Sequence, residues 1–168
     1  MYWNDHFLDL FSRSVKRYRS GDKHFQSYYE DEDLELLRTI GYRKREFFDF
    51  VEDFCDEDLP SPTTALLVAA VRRDYFQVVM KGEVVPATVT SENIPTFGDA
   101  LEGIYYLPRI LAKARGKLEG RLDPDLMFGC GGDRKFLREH RDIHPADFLR
   151  QVWSAGDDDS KIAAWVRG

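Results

Sequence analysis

Leu107–Arg121 reads LPRILAKARGKLEGR, and the fold class turns on it. Leu107, Ile110, Leu111, Ala114 and Leu118 fall at i, i+3, i+4, i+7 and i+11, the recurrence of one face of an α-helix. Arg109, Lys113 and Lys117 recur every fourth residue on another face. Four residues turn a helix by about 400°, so this basic row drifts only about 40° per step and stays contiguous for two turns. Gly120 ends the helix, and Cys130 and Asp133 follow in the Gly-rich stretch RLDPDLMFGCGG and just beyond it.

Outward from this stretch the same periodicity recurs. Phe7, Leu8, Phe11, Val15 and Tyr18 predict a helix over roughly 5–20, capped by Asn4 or Asp5 and stopped at Ser20-Gly21. Leu34, Leu36, Leu37 and Ile40 predict a short helix closed by Gly41, and Phe47, Phe48, Phe50, Val51 and Phe54 predict another. Ser61-Pro62 is an N-cap followed by a first-turn proline, opening a nearly apolar helix, TTALLVAAVRRDYF. Downstream, helices are expected after Asp133, from near Pro145, and from the acidic run Asp157–Asp159, which complements a helix dipole. Residues 76–103, rich in Val and broken by Pro86, Asn93, Pro95 and Gly98, read as an irregular or short hairpin connector.

The bulk numbers narrow the function classes. Over 168 residues, 43% hydrophobic and 14% aromatic content suffices for a core. A net charge of −6 argues against general nucleic-acid binding. No apolar run approaches the roughly 20 residues that span a bilayer, and MYWNDHFLDLF lacks the basic lead and apolar run of a signal peptide. Cys55 and Cys130 form neither a disulfide framework nor a CxxC metal pattern. Reduced thiols and a cytoplasmic location are the plain expectation.

The order of elements repeats. Asp33–Arg38 (DLELLR) aligns with Asp133–Arg138 (DRKFLR); Glu46-Phe47-Phe48 and Val51 align with Asp147-Phe148-Leu149 and Val152; Leu67–Arg72 aligns with Ile162–Arg167. The expectation is an all-α, pseudo-duplicated helical bundle of about seven or eight helices. It forms a single compact domain over 1–168, with similar halves 1–75 and 104–168 joined by connector 76–103.

Arg109, Lys113 and Arg115, with Cys130 and Asp133, form the sharpest candidate cluster, and Tyr105 and Tyr106 stand at the mouth of any groove. Arg presents a planar fork of donors to carboxylate or phosphate, and Lys adds a point charge. A thiol beside such cations could act as a nucleophile. The alternative is a solvated basic face with Cys130 as a small buried hydrophobe. His140 and His144, four apart, lack a third metal ligand and the firm helix between them that a site needs. GCGG at 129–132 lacks the Lys-Ser/Thr of a phosphate loop. No metal, cofactor or catalytic residue is assigned.

LPRILAKARGKLEG, FGCGGDRKFL, FLRQV and IAAWV together resemble a bacterial family, domain of unknown function 5069. The matching residues are Gly103, Leu107, Arg109, Lys113, Ala114, Arg115, Gly120, Cys130, Asp133, Phe136 and Trp165. The resemblance covers about 94–168 and, more loosely, the first half through the repeat. It supports the fold and the location of a site and carries no activity. The expectation is a small helical protein that binds an anionic or polar small ligand through the basic stripe. The alternatives are a protein-interaction or scaffold module without catalysis and, third, a Cys-dependent enzyme.

Overall fold

A computed structural model describes residues 1–168. It is mainly α-helical, with eight α-helices and one minimal two-stranded sheet. The chain divides into two compact units, Met1–Val84 and Val85–Gly168. The anticipated halves lie one in each unit. Within the stretch 76–103, residues up to Val78 continue α4, residues 79–99 form no helix or named strand, and a short hairpin begins at Ala100; the division between the two units falls inside it, after Val84.

The first unit contains α1 (Trp3–Arg19), a 3-10 turn (Phe25–Ser27), α2 (Asp31–Ile40), α3 (Lys44–Glu57) and α4 (Pro62–Val78). Helix α1 packs on α2, α3 and α4, and α2 packs on α4. Phe7, Phe11 and Phe47 are buried together, with the Phe7 and Phe47 rings edge to face at 5.1 Å, a favoured aromatic geometry. The boundaries follow local chemistry. Glu30 N–H donates to the Asp33 carboxylate at 3.0 Å at the start of α2. Thr64 N–H donates to Ser61 Oγ at 3.1 Å ahead of the first-turn Pro62 of α4. Gly41 closes α2 at φ 80°, and a Cβ there would meet the Phe76 ring at 2.7 Å. Phe76 is buried, which is why α4 runs past Tyr75 to Val78 where sequence reading placed the connector. The first helix lacks the expected Asn4 or Asp5 cap: its N-cap position is Tyr2, two to three residues earlier, and Asp5 lies within its first turn.

The second unit contains β1 (Ala100–Leu101), β2 (Ile104–Tyr105), α5 (Leu107–Glu119), α6 (Gly131–Glu139), α7 (Pro145–Ala155) and α8 (Asp159–Arg167). The hairpin lies at 100–105, beyond the Val-rich stretch, and pairs Ala100 with Tyr105 and Leu101 with Ile104. Thr88 and Val89 are held by their N–H groups to the Arg121 carbonyl, and Asp123 N–H returns to Val89 O at 2.9 Å. Helix α5 is the core element, packing on α7, which in turn packs on α8. Its predicted apolar face, Leu107, Ile110, Leu111, Ala114 and Leu118, is buried. So are Gly116, whose Cβ position is 2.6 Å from Leu122 Cδ2, and the two lysines Lys113 and Lys117, each 3% exposed. The basic row is therefore mostly interior rather than a solvated stripe. No helix is long and apolar enough to cross a membrane.

Candidate functional site

Two helix starts meet at the centre of the second unit. Tyr106 precedes α5 with φ 72°, a left-handed conformation unusual for a bulky residue. Lys113 lies seven residues on, two turns along the same face. Both reach Asp133 in the first turn of α6. Asp133 is fully buried; its Oδ2 accepts from Lys113 Nζ at 2.6 Å and from Gly129 N–H at 2.8 Å, and its Oδ1 accepts from the Tyr106 hydroxyl at 2.7 Å. Three donors, one of them a charged ammonium, satisfy a carboxylate that could not otherwise be buried. Burial pushes the Tyr106 hydroxyl up, and the Asp133 charge pushes it further, so it remains a donor. The Lys113 ammonium also donates to Cys130 Sγ at 3.2 Å, and Cys130, partly exposed, is the N-cap residue of α6.

Beside this network runs a groove of about 590 Å³, lined by Phe97, Tyr105, Tyr106, Gly132, Phe136 and His140 among others. Four rings form a ladder along it: Phe97 to Tyr106 at 5.9 Å, Tyr106 to Phe136 at 5.6 Å, and Phe136 to His140 at 4.2 Å. Lys135 and Glu139 line it as well, 3.9 Å apart. Phe97 and Tyr105 are 68% and 69% exposed, high for rings of this size.

The structure brings Lys113, Cys130 and Asp133 together and places Tyr105 on the groove wall. Arg109 is not among the residues that line the groove but stacks on one of them: its guanidinium lies 4.2 Å from the Phe97 ring centroid and donates to Pro95 O at 2.8 Å. Arg115 faces elsewhere, bonded to the Asp159 carboxylate and, at 3.0 Å, to Gly156 O. At the start of α6 the Asp133 carboxylate accepts the Gly129 N–H and sets a negative charge in the first turn, which opposes an anion there. His140 donates from Nδ1 to Phe136 O at 2.8 Å, and His144 caps α7, its Nδ1 accepting from Ala146 N–H at 3.1 Å. No group of three or more His, Cys, Asp or Glu side chains is placed to hold a metal ion. Sequence reading missed Gly132, Phe136, Phe97 and His140 as groove residues. The available signal was the seven-residue spacing of Tyr106 and Lys113 before an acid at the start of the next helix.

The first unit contains an arrangement of the same form. Asp33, in the first turn of α2, is 1% exposed and accepts from Arg13 at 2.7 Å, from His6 Nε2 at 2.8 Å and from the Glu30 N–H. Burial alone would raise this carboxyl; the bonds from Arg13, Glu30 and His6 outweigh it and hold it below the ordinary carboxylate value. His6 and Arg13 are again seven residues apart on the preceding helix. A groove of about 570 Å³ lies there too, lined by Trp3, His6, Glu32, Glu35, Leu36 and Thr39 among others.

Residues 96–168 match the family model of a domain of unknown function, DUF5069. This agrees with the resemblance read over about 94–168 and falls within the second unit, where the network and the ring-lined groove lie. No curated protein and no solved structure matches the chain.

Proposed function

We propose that the protein is a small-ligand-binding module whose site is the ring-lined groove of the second unit. The observation that carries this reading is the four-ring ladder walling a groove of about 590 Å³, within the roughly 300–1,000 Å³ of small-molecule sites. An aromatic wall suits an apolar or planar body. Arg109 beyond Phe97, and Lys135 and His140 along the groove, suit a polar or anionic substituent. In this reading Lys113 of the basic row supports the site rather than contacting ligand: Lys113 fixes Asp133, and Asp133 fixes the Tyr106 ring through its hydroxyl.

A thermal-shift screen over planar anionic metabolites tests this. A ligand present at one hundred times its Kd adds about 2.7 kcal/mol, a rise in Tm of roughly 5 °C or more. The shift disappears in a Phe97→Ala/Tyr105→Ala variant, whose substitutions are at exposed positions. No stabilising compound, or shifts unchanged in that variant, refutes the reading. The exposure of Phe97 and Tyr105 also favours a second reading, a docking surface for a protein partner.

The two units are best explained as copies of one duplicated element. His6, Arg13 and Asp33 correspond to Tyr106, Lys113 and Asp133 at a constant offset, and each trio joins a helix face to an acid that starts the next helix. Both grooves also take the residues at corresponding positions, His6, Glu32, Glu35, Leu36 and Thr39 in one and Tyr106, Gly132, Lys135, Phe136 and Glu139 in the other.

A further inference from the structure

One ring nitrogen on the wall of the second unit's groove is unpaired within the protein. His140 lines the groove and is the C-cap residue of α6. Its Nδ1 lies 2.8 Å from Phe136 O. A carbonyl oxygen only accepts, so Nδ1 carries the ring hydrogen, and the neutral ring presents a lone pair at Nε2. Nε2 has no hydrogen-bond partner in the protein. The ring is held by the Nδ1 bond and by the Phe136 ring, whose centroid is 4.2 Å away. At the offset that relates Asp33 to Asp133, the first unit has Ile40, fully buried. An aliphatic side chain therefore satisfies the fold at this place, and closing α6 accounts for Nδ1 but not for Nε2.

We propose that His140 is the specificity-determining residue of the groove, and that the groove's ligand is a planar aromatic acid with an N–H or O–H donor on its ring edge. This rests on the ligand-binding reading of the groove and fixes the direction of one hydrogen bond: the ligand donates and Nε2 accepts. An acceptor set there would place lone pair against lone pair, and an apolar edge would take Nε2 out of water with nothing in exchange. A site built around such an acceptor rejects the analogue that lacks the donor. The aromatic wall takes the ring. Lys135 takes the acid group: its ammonium is 3.9 Å from Glu139, beyond hydrogen-bond distance, so its donors are left for the ligand.

The experiment titrates the full chain, at about pH 8 so that neutral imidazole is read, with two pairs of probes that differ by a single donor. One pair is 4-hydroxybenzoate and 4-methoxybenzoate; the other is indole-3-carboxylate and 1-methylindole-3-carboxylate. Isothermal titration calorimetry gives the dissociation constants, and a long-range proton–nitrogen correlation spectrum of the ligand-free chain reads which His140 nitrogen is protonated. The donor-bearing member of at least one pair is expected to bind about 10-fold more tightly than its methylated partner. His140→Phe removes that preference and leaves the affinity for the methylated probe within about 2-fold, whereas a merely structural role would weaken both members alike. His140→Gln, whose amide oxygen accepts, restores part of the preference. Equal binding within both pairs in the unmodified chain, a preference that survives His140→Phe, or a proton found on Nε2 overturns the proposal and leaves the groove as a ligand site. Binding of no probe overturns it as well, and the wider thermal-shift screen then decides separately on the groove.

Discussion

Replacing Asp133 by Asn tests the central network most directly. The substitution keeps the shape and removes the charge. Asp133 is fully buried and Lys113 is 3% exposed, so the ammonium cannot reach water when its counter-charge is lost. Its other contact is the Cys130 sulfur at 3.2 Å, a weak acceptor. An amide also places an NH₂ where one carboxylate oxygen accepted a donor, either the Tyr106 hydroxyl at 2.7 Å or Lys113 and Gly129. Breaking a buried pair from one side costs about 3–5 kcal/mol, and that range applies here. The matched change in the first unit, Asp33→Asn, is cheaper. The Arg13 side chain is 37% exposed and retains Asp9 at 2.8 Å, and the His6 side chain is 22% exposed. Those groups can be resolvated, so the expected cost is about 1–2 kcal/mol. Urea unfolding followed by circular dichroism measures both, and Trp3 in one unit with Trp153 and Trp165 in the other adds a fluorescence signal from each. Equal losses in the two variants, or a smaller loss for Asp133→Asn, would show that burial of the cation is not what makes the second network costly to disturb.

Two further outcomes follow from the packing. Gly116→Ala improves helix propensity by about 1 kcal/mol but sets a methyl 2.6 Å from Leu122 Cδ2, so a net loss of about 1–2 kcal/mol is expected in thermal melts, and a gain would show that Leu122 yields freely. Tyr18, its hydroxyl donating to Asp56 at 3.0 Å, is pushed up to about 12 by burial first and then by the Asp56 bond and charge. A raised folded value means that the native state holds its proton longer than the unfolded chain. This stabilisation is complete below about pH 10 and is lost as the pH rises from 10 to 12. Tm should fall across that window, and less steeply in Tyr18→Phe; identical slopes would remove Tyr18 from the account.

The helices were legible because their signals are local. Apolar residues recurring every three or four positions marked α5, and Ser61-Pro62, Gly41 and Gly120 marked ends where the backbone itself demands those residues. The correspondence of Asp33 with Asp133 was readable in the same way, as spacing. The fate of the charges was not. Arg109, Lys113 and Lys117 look equivalent along the chain, yet Arg109 stacks on Phe97 while Lys113 and Lys117 are buried. Arg115, two residues from Lys113, bonds to Asp159, 44 positions away in sequence. Spacing along a helix sets which side chains share a face. Which neighbour covers that face, and so whether a cation is solvated, paired with a carboxylate or set against a sulfur, depends on how α5, α6, α7 and α8 pack. Only the tertiary structure decided that, because the energy of a charge depends on its distance to partners and to water, and neither is a property of the local chain.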